Sequence, residues 1–281
     1  MRRSRGVGER LKKLLLALQF LTIIPVKVKG QVSEDEISGA VVFSPVVGAF
    51  QGVLIAFSAL FLIKIFSPEI TSALIVLILT LSNGGFHLDG LADSFDALAV
   101  KSSGDRAADI RKRLSVMKDS YIGSIGVISI TLIVLLKVLF IKDLFSMNVS
   151  MPVVASLLFL MPVFSRWAMI PAMYHGTSAR GDGLGKMFID NCGINTVAFS
   201  SLLTVAFYVL AAVFILRRPY GTGAITLFFV LSSVLYAFSF LSAKFCEGKF
   251  DGLTGDTLGA ISEISEIIFL AGVSLWLRRS F

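Results

Sequence analysis

Seven stretches of this chain, residues 40–63, 69–88, 121–141, 151–173, 195–216, 223–243 and 258–277, each run for roughly 20 residues with few charges. A helix of that length rises about 30 Å, the thickness of a bilayer's hydrocarbon core. Lipid offers the backbone no hydrogen bonds, so apolar segments that cross it must satisfy their N–H and C=O groups internally, as helices do. The expected fold is therefore all-α: a polytopic integral membrane helix bundle of about seven transmembrane helices. Composition agrees, because 55% of the 281 residues are hydrophobic and 16% charged, with mean hydropathy +0.83, whereas soluble domains carry about 25% charged residues. A soluble chain this long would make roughly two domains. A bundle uses the length in one unit, and no Pro/Gly/Ser-rich linker divides it, so residues 1–281 are expected to form a single catalytic domain.

The segment before the first span is apolar from Leu14 to Val26 but too short to cross, and "RRSRGVGERLKK" precedes it. Leu11–Val26 therefore reads as an amphipathic N-terminal helix lying in the interface. A signal peptide is the competing reading, but "PVKVKG" follows where a small-residue cleavage site would stand. Ser33 with Glu36 three residues later forms a capping box that would start the first span. With the N-terminus cytoplasmic, eighteen Lys and Arg fall in loops on that side and six on the other, as the positive-inside rule requires. The net charge of +7 then reflects basic loops against anionic lipid heads and calls for no nucleic acid. Cys192 and Cys246 lie near the same face and are expected to be reduced. With His87 and His175 the only histidines, zinc-ligand spacing is absent. Solenoid repeats and low-complexity tracts are absent too, and an oligomeric assembly is compatible with the sequence.

"GGFHLDGLADSFDAL", residues 84–98, puts three carboxylates at the end of an apolar segment. On a helix Asp89, Asp93 and Asp96 fall within an arc of about 60°. Three like charges on one stripe repel, and oxygen-only ligands suit a hard cation, Mg²⁺ or Mn²⁺. A solvated helix end is the plainer reading, although Gly90 and Ala92 leave room for a backbone or ligand to come close. "DGLTGDTLGAISEISE", residues 251–266, repeats the pattern with Asp251, Thr254 and Asp256, and Gly259 and Ala260 keep the Asp256 face open. Two acidic helix ends would then meet across one site; alternatively, Asp256 merely favours the start of its own helix.

Between them, "RKRLSVMKDSYIGSIG" offers Arg111, Lys112, Arg113 and Lys118, followed by Asp119 and Ser120, on the cytoplasmic side of a span. These cations suit either a phosphate or a positive-inside anchor. Arg166, in "SRW", lies well inside a span, to pair with an acid or hold a substrate phosphate. "TSARGDGLGKMF", residues 177–188, is a Gly-rich mixed-charge loop that would serve as a substrate lid, without Walker spacing.

Together "LALQFLTIIPV", "FSPVVGAFQG", "GGFHLDGLADSFDAL", "MKDSYIGSIGV", "SRW" and "DGLTGDTLGAISEISE" resemble the cobalamin synthase family, adenosylcobinamide-GDP ribazoletransferases, in order and over essentially the whole chain. "HLDGLAD" alone is also similar to the CDP-alcohol phosphotransferases. That pattern, however, wants an Asp where Phe86 stands, an Ala-Arg pair where Asp93-Ser94 stands, and a Gly and two Asp where Ser103, Ala107 and Arg111 stand.

The resemblance implies a transferase that joins adenosylcobinamide-GDP to alpha-ribazole or its 5'-phosphate, releases GMP and forms adenosylcobalamin or its phosphate. It would sit in the bacterial or archaeal cytoplasmic (inner) membrane with its active site facing the cytoplasm. Metal held by Asp89, Asp93 and Asp96 would neutralise the diphosphate and the departing GMP. Lys118 and Arg166 would offset further charge, with Arg113, Asp119, Ser120, Asp251 and Thr254 as substrate contacts. Asp256, Asp119 or His87 would take the proton from the attacking ribose hydroxyl. His87 lies about 160° from Asp89 on a continuous helix, so it joins only if Gly84–Gly85 breaks that helix. The alternative is a cation-coupled secondary transporter using Asp89, Asp93 and Asp96 as its ion site. Such a protein would hold its acids at mid-membrane depth between two similar halves.

Overall fold

Ser33 opens the first span as its capping box requires: Glu36 N–H donates to Ser33 Oγ at 3.2 Å, and Ser33 N–H to Glu36 Oε2 at 2.9 Å. The computed structural model of the protein describes residues 2–28, 30–215 and 221–279. Lys29, Leu216, Arg217 and Arg218, which enter the span and charge counts above, lie outside the described residues. Helix α1 (Arg2–Leu21) precedes the box. It ends at Thr22, whose hydroxyl donates to the Leu18 carbonyl at 2.6 Å. The helix expected to reach Val26 stops five residues earlier, because Thr22, Ile23 and Ile24 are β-branched and Pro25 disfavours a helical residue before it.

From Ser33 the chain runs through α2 (Glu34–Ala40), a 3₁₀ turn (Val41–Phe43) and α3 (Ser44–Leu62). Next, α4 (Pro68–Ser82) is followed by α5 (Phe86–Leu98) at an angle of 89°. The expected span 69–88 is thus broken. Gly84 and Gly85 take φ of 65° and 76°, a left-handed backbone that glycine adopts without a Cβ penalty. Asn83 Oδ1 accepts the Gly85 N–H at 2.9 Å and fixes the turn.

The remaining helices are α6 (Arg106–Val116), α7 (Ser124–Ser146), α8 (Met151–His175), α9 (Leu184–Asp190), α10 (Ile194–Ile215), α11 (Gly221–Phe250) and α12 (Gly255–Arg279). Among the described residues, six helical runs are long and apolar enough to cross a membrane, or seven if α4 and α5 count as one span. Helix α8 is buried along nearly its whole length, with α3, α10, α11 and α12 packed around it. Its Phe164 ring centres the core, with centroids 5.4 Å from Phe269 and 6.0 Å from Phe228. Outer faces expose Phe57, Leu202, Phe229 and Leu275, an apolar surface suited to lipid.

A helix at 89° to a span cannot continue through the bilayer beside it, so α5 lies across one end of the bundle. The chain direction alternates from span to span, which brings α6, α9 and the 251–254 turn to that same end. A parallel bridge joins Ser178 to Leu253 there. Leu253 N–H donates to Thr177 O at 2.7 Å, and Ala179 N–H to Leu253 O at 2.9 Å.

Candidate active site

Helix α5 carries Asp89 exposed and Asp93 and Asp96 half-buried on one stripe. It crosses α12 through Gly90, where a β-carbon would lie 2.7 Å from the Asp256 carbonyl oxygen and 2.9 Å from its Cα. Gly259, one turn further along α12, would place one 3.2 Å from His87 Cα. The two acidic motifs therefore come together, with Asp256 beside the α5 stripe. Burial, then the charges of Asp89, Asp256 and Asp96, push the Asp93 carboxyl up to about 6, with only partial relief from Arg180.

Asp256 is held by its helix start. Thr257 N–H donates to Thr254 Oγ1 at 3.2 Å while Thr254 N–H donates to Thr257 Oγ1 at 2.8 Å, so Thr254 caps α12. Arg180, from the loop after α8, donates through Nη2 to Asp256 Oδ2 at 2.7 Å. Sequence reasoning noted that loop as a lid but did not single out Arg180. No spacing rule could have done so, because its partner lies 76 residues further on.

Asp96 serves its own neighbours: its carboxylate oxygens accept the backbone N–H groups of Gly123 at 2.6 Å and Gly126 at 2.8 Å. The backbone start of α7 thus binds an internal carboxylate. Among the described residues no three Asp, Glu, His or Cys side chains surround one point. The donor chemistry nonetheless fits a hard divalent ion. Asp89 and Asp93 present only oxygen, their charges conflict, and Mg²⁺ commonly takes one or two carboxylates and completes its shell with water and substrate phosphate.

His87 stands on the other side of α5. The break at Gly84–Gly85 precedes it, so it shares one helix with Asp89 and keeps the separation of about 160°. Its Nδ1 lies 3.3 Å from Asn83 Nδ2, and the residue is 6% exposed. Lys118, Asp119 and Ser120 are exposed in the loop between α6 and α7. There Asp119 Oδ1 accepts the Tyr121 N–H at 3.2 Å. Arg113 is buried and donates to the Lys249 carbonyl at 3.2 Å, tying α6 to the end of α11. Asp251 is exposed, with positive φ of 65°, and lies 4.0 Å from Arg106.

Arg166 is fully buried in a four-charge cluster. It donates to Glu266 Oε1 at 3.1 Å and to Ser262 Oγ at 2.5 Å. Lys137 Nζ sits 2.5 Å from Glu263 Oε2 and also pairs with Glu266. Two cations and two carboxylates cancel inside the bundle, and Arg166 takes the pairing alternative that its depth suggested. Glu263, seven residues after Asp256 on α12, belongs to this cluster and not to the acidic seam.

Fold and site define a polytopic helical membrane protein with a carboxylate-rich seam at one end. A family model described as cobalamin-5-phosphate synthase matches residues 13–274, and the chain belongs to that family of transferases. It is 38% identical over 272 residues to an adenosylcobinamide-GDP ribazoletransferase of Thermodesulfovibrio yellowstonii, covering 95% of this chain and 99% of the relative. Proteins of the same name from Caldanaerobacter subterraneus subsp. tengcongensis and Clostridioides difficile are each 33% identical, covering 92% and 96% of this chain and 96% and 100% of theirs. No solved structure matches the chain. Membership of a transferase family gives the transporter alternative no support.

Proposed function

We propose that the whole chain acts as one catalytic unit in the cytoplasmic membrane, joining adenosylcobinamide-GDP to alpha-ribazole or its 5'-phosphate with release of GMP on the cytoplasmic side. The observation that carries this reading is the meeting of Asp93 and Asp256 beside Arg180 where α5 crosses α12. Mg²⁺ or Mn²⁺ held by Asp89 and Asp93 would supply charge neutralisation at the diphosphate. Arg180 binds a phosphate oxygen through the guanidinium edge that Asp256 leaves free and keeps the departing GMP from repelling the acids. Asp256 accepts the proton of the ribose hydroxyl as its oxygen bonds to the cobinamide-side phosphorus and the bond from that phosphorus to the GMP oxygen breaks. Asp96 holds α7 against α5 and sets the spacing of the stripe.

Purified protein in nanodiscs with both substrates and Mg²⁺ should release GMP. Asp89→Asn, Asp93→Asn and Asp256→Asn should each lower that rate by about a hundredfold or more while inserting and purifying normally. Near-full turnover by Asp93→Asn would end the metal assignment. An inactive wild type would end the reading itself.

A further inference from the structure

A cavity of about 220 Å³ lies behind α5, between α1, the 3₁₀ turn, α8, α9 and the start of α12. Its wall is apolar, with Ala17, Met169, Met173, Phe188 and Leu258 among the side chains lining it. Two polar side chains face it, Ser44 and His87. Ser44 already donates its hydroxyl proton to the Val41 carbonyl at 2.7 Å. His87 is different. Asn83 Oδ1 accepts the Gly85 N–H, so the Asn83 atom facing His87 Nδ1 is the amide nitrogen, a donor. Nδ1 is therefore an acceptor and the ring proton sits on Nε2. The hydrogen bond of the His87 ring among the described residues is the one at Nδ1, which leaves that N–H without a partner there, and the residue is 6% exposed. The cavity also touches Gly255 and Gly259, which flank Asp256 in chain order. A molecule held there is thus anchored next to the proposed proton acceptor.

We propose that this cavity binds the heteroaromatic base of the ribazole substrate, with His87 Nε2–H donating to its free ring nitrogen. The assignment rests on the transferase reading above. Alpha-ribazole is a benzimidazole riboside, a flat apolar bicycle with one unsubstituted ring nitrogen that accepts a single hydrogen bond. One apolar slot with one unspent donor matches that chemistry group for group. Guanine would bring several polar edges into a wall with one polar group to answer them, and a corrin ring is far too large for about 220 Å³. His87 is then a base-recognition residue, and the ribose emerges past Gly255 toward Asp256 and Asp93.

Equilibrium dialysis of labelled alpha-ribazole against the full-length protein in nanodiscs tests this without turnover. His87→Phe, which keeps the ring and removes the donor, should weaken binding about tenfold. An indole riboside, in which the ring nitrogen becomes C–H, should lose the same factor on the wild type and bind wild type and His87→Phe equally. In the GMP assay His87→Phe should raise KM for alpha-ribazole and leave KM for adenosylcobinamide-GDP within about twofold. Equal binding of riboside and indole analogue to the wild type would overturn the assignment. So would a His87→Phe effect confined to the cobinamide substrate, or a ribazole affinity that falls with added lipid, which marks a lipid-filled cavity. If the wild type releases no GMP yet binds ribazole through His87, the base site stands and the reaction assigned to the chain falls.

Discussion

Asp93 is a carboxyl that folding makes harder to ionise. Its value rises from the ordinary 3.8 to about 6, so between those values the folded protein keeps a proton that the unfolded chain has released. Stability therefore falls as pH rises through that window, and a divalent ion competing for the same oxygens should restore it above the window. In chelator, the unfolding temperature in nanodiscs should drop between about pH 4 and pH 7. Mg²⁺ should recover it at the upper pH only, and Asp93→Asn should abolish both effects. A wild type indifferent to Mg²⁺ at neutral pH would contradict this. The stripe of acids could be read from residue spacing alone because helical geometry converts 89, 93 and 96 into one face. The partners of those acids could not. Arg180 reaches Asp256 only after α9, α10 and α11 have folded back, and Asp96 is answered by glycine amides 27 and 30 residues away.

At the scale of helices, the crossing of α5 and α12 decides whether the site exists. A β-carbon at Gly90 would meet Asp256 backbone rather than a movable side-chain tip, so relief requires the helices to separate. Gly90→Val should cost about 1–3 kcal/mol of stability and remove turnover even though no chemical group is touched. Gly8→Ala, with nothing within 4 Å, is the neutral control, and retained activity in Gly90→Val would mean the crossing can widen harmlessly. The four-charge cluster joins α7, α8 and α12 in the same way. Glu266→Gln removes the carboxylate that pairs with Arg166 and should lower stability by about 3–5 kcal/mol, read as a thermal shift. No measurable shift would mean that Glu263 takes over both cations. The glycine pair before α5 was visible in the sequence as a conditional break. Its 89° consequence was not, because the angle is set by the backbone of Gly84 and Gly85 and by the Asn83 contact that fixes the turn, which residue spacing does not encode.

For the whole molecule, the spans were legible because bilayer thickness fixes their length, whereas the order in which they pack around α8 depends on side-chain fit between distant segments. The Lys and Arg distribution sets an expected sidedness, and that expectation makes a sharp prediction. Single cysteines replacing Ser103 or Ser178 should resist an impermeant thiol reagent in intact cells and react after permeabilisation. One replacing Ser150 should react in both. Labelling of Ser103 from outside would invert the protein and remove a cytoplasmic substrate from reach. The native Cys192 and Cys246 are buried and give little background.

Helix α4, at 15 residues, rises about 22 Å, against a hydrocarbon core of about 30 Å. A span this short is met by local thinning of the bilayer beside it, at the corner where the chain turns into α5. Turnover should then depend on acyl-chain length, highest in short-chain bilayers and falling as the chains lengthen, while the same protein in detergent should lose that dependence. A turnover rate indifferent to chain length would show that this short helix is accommodated without deforming the lipid around it.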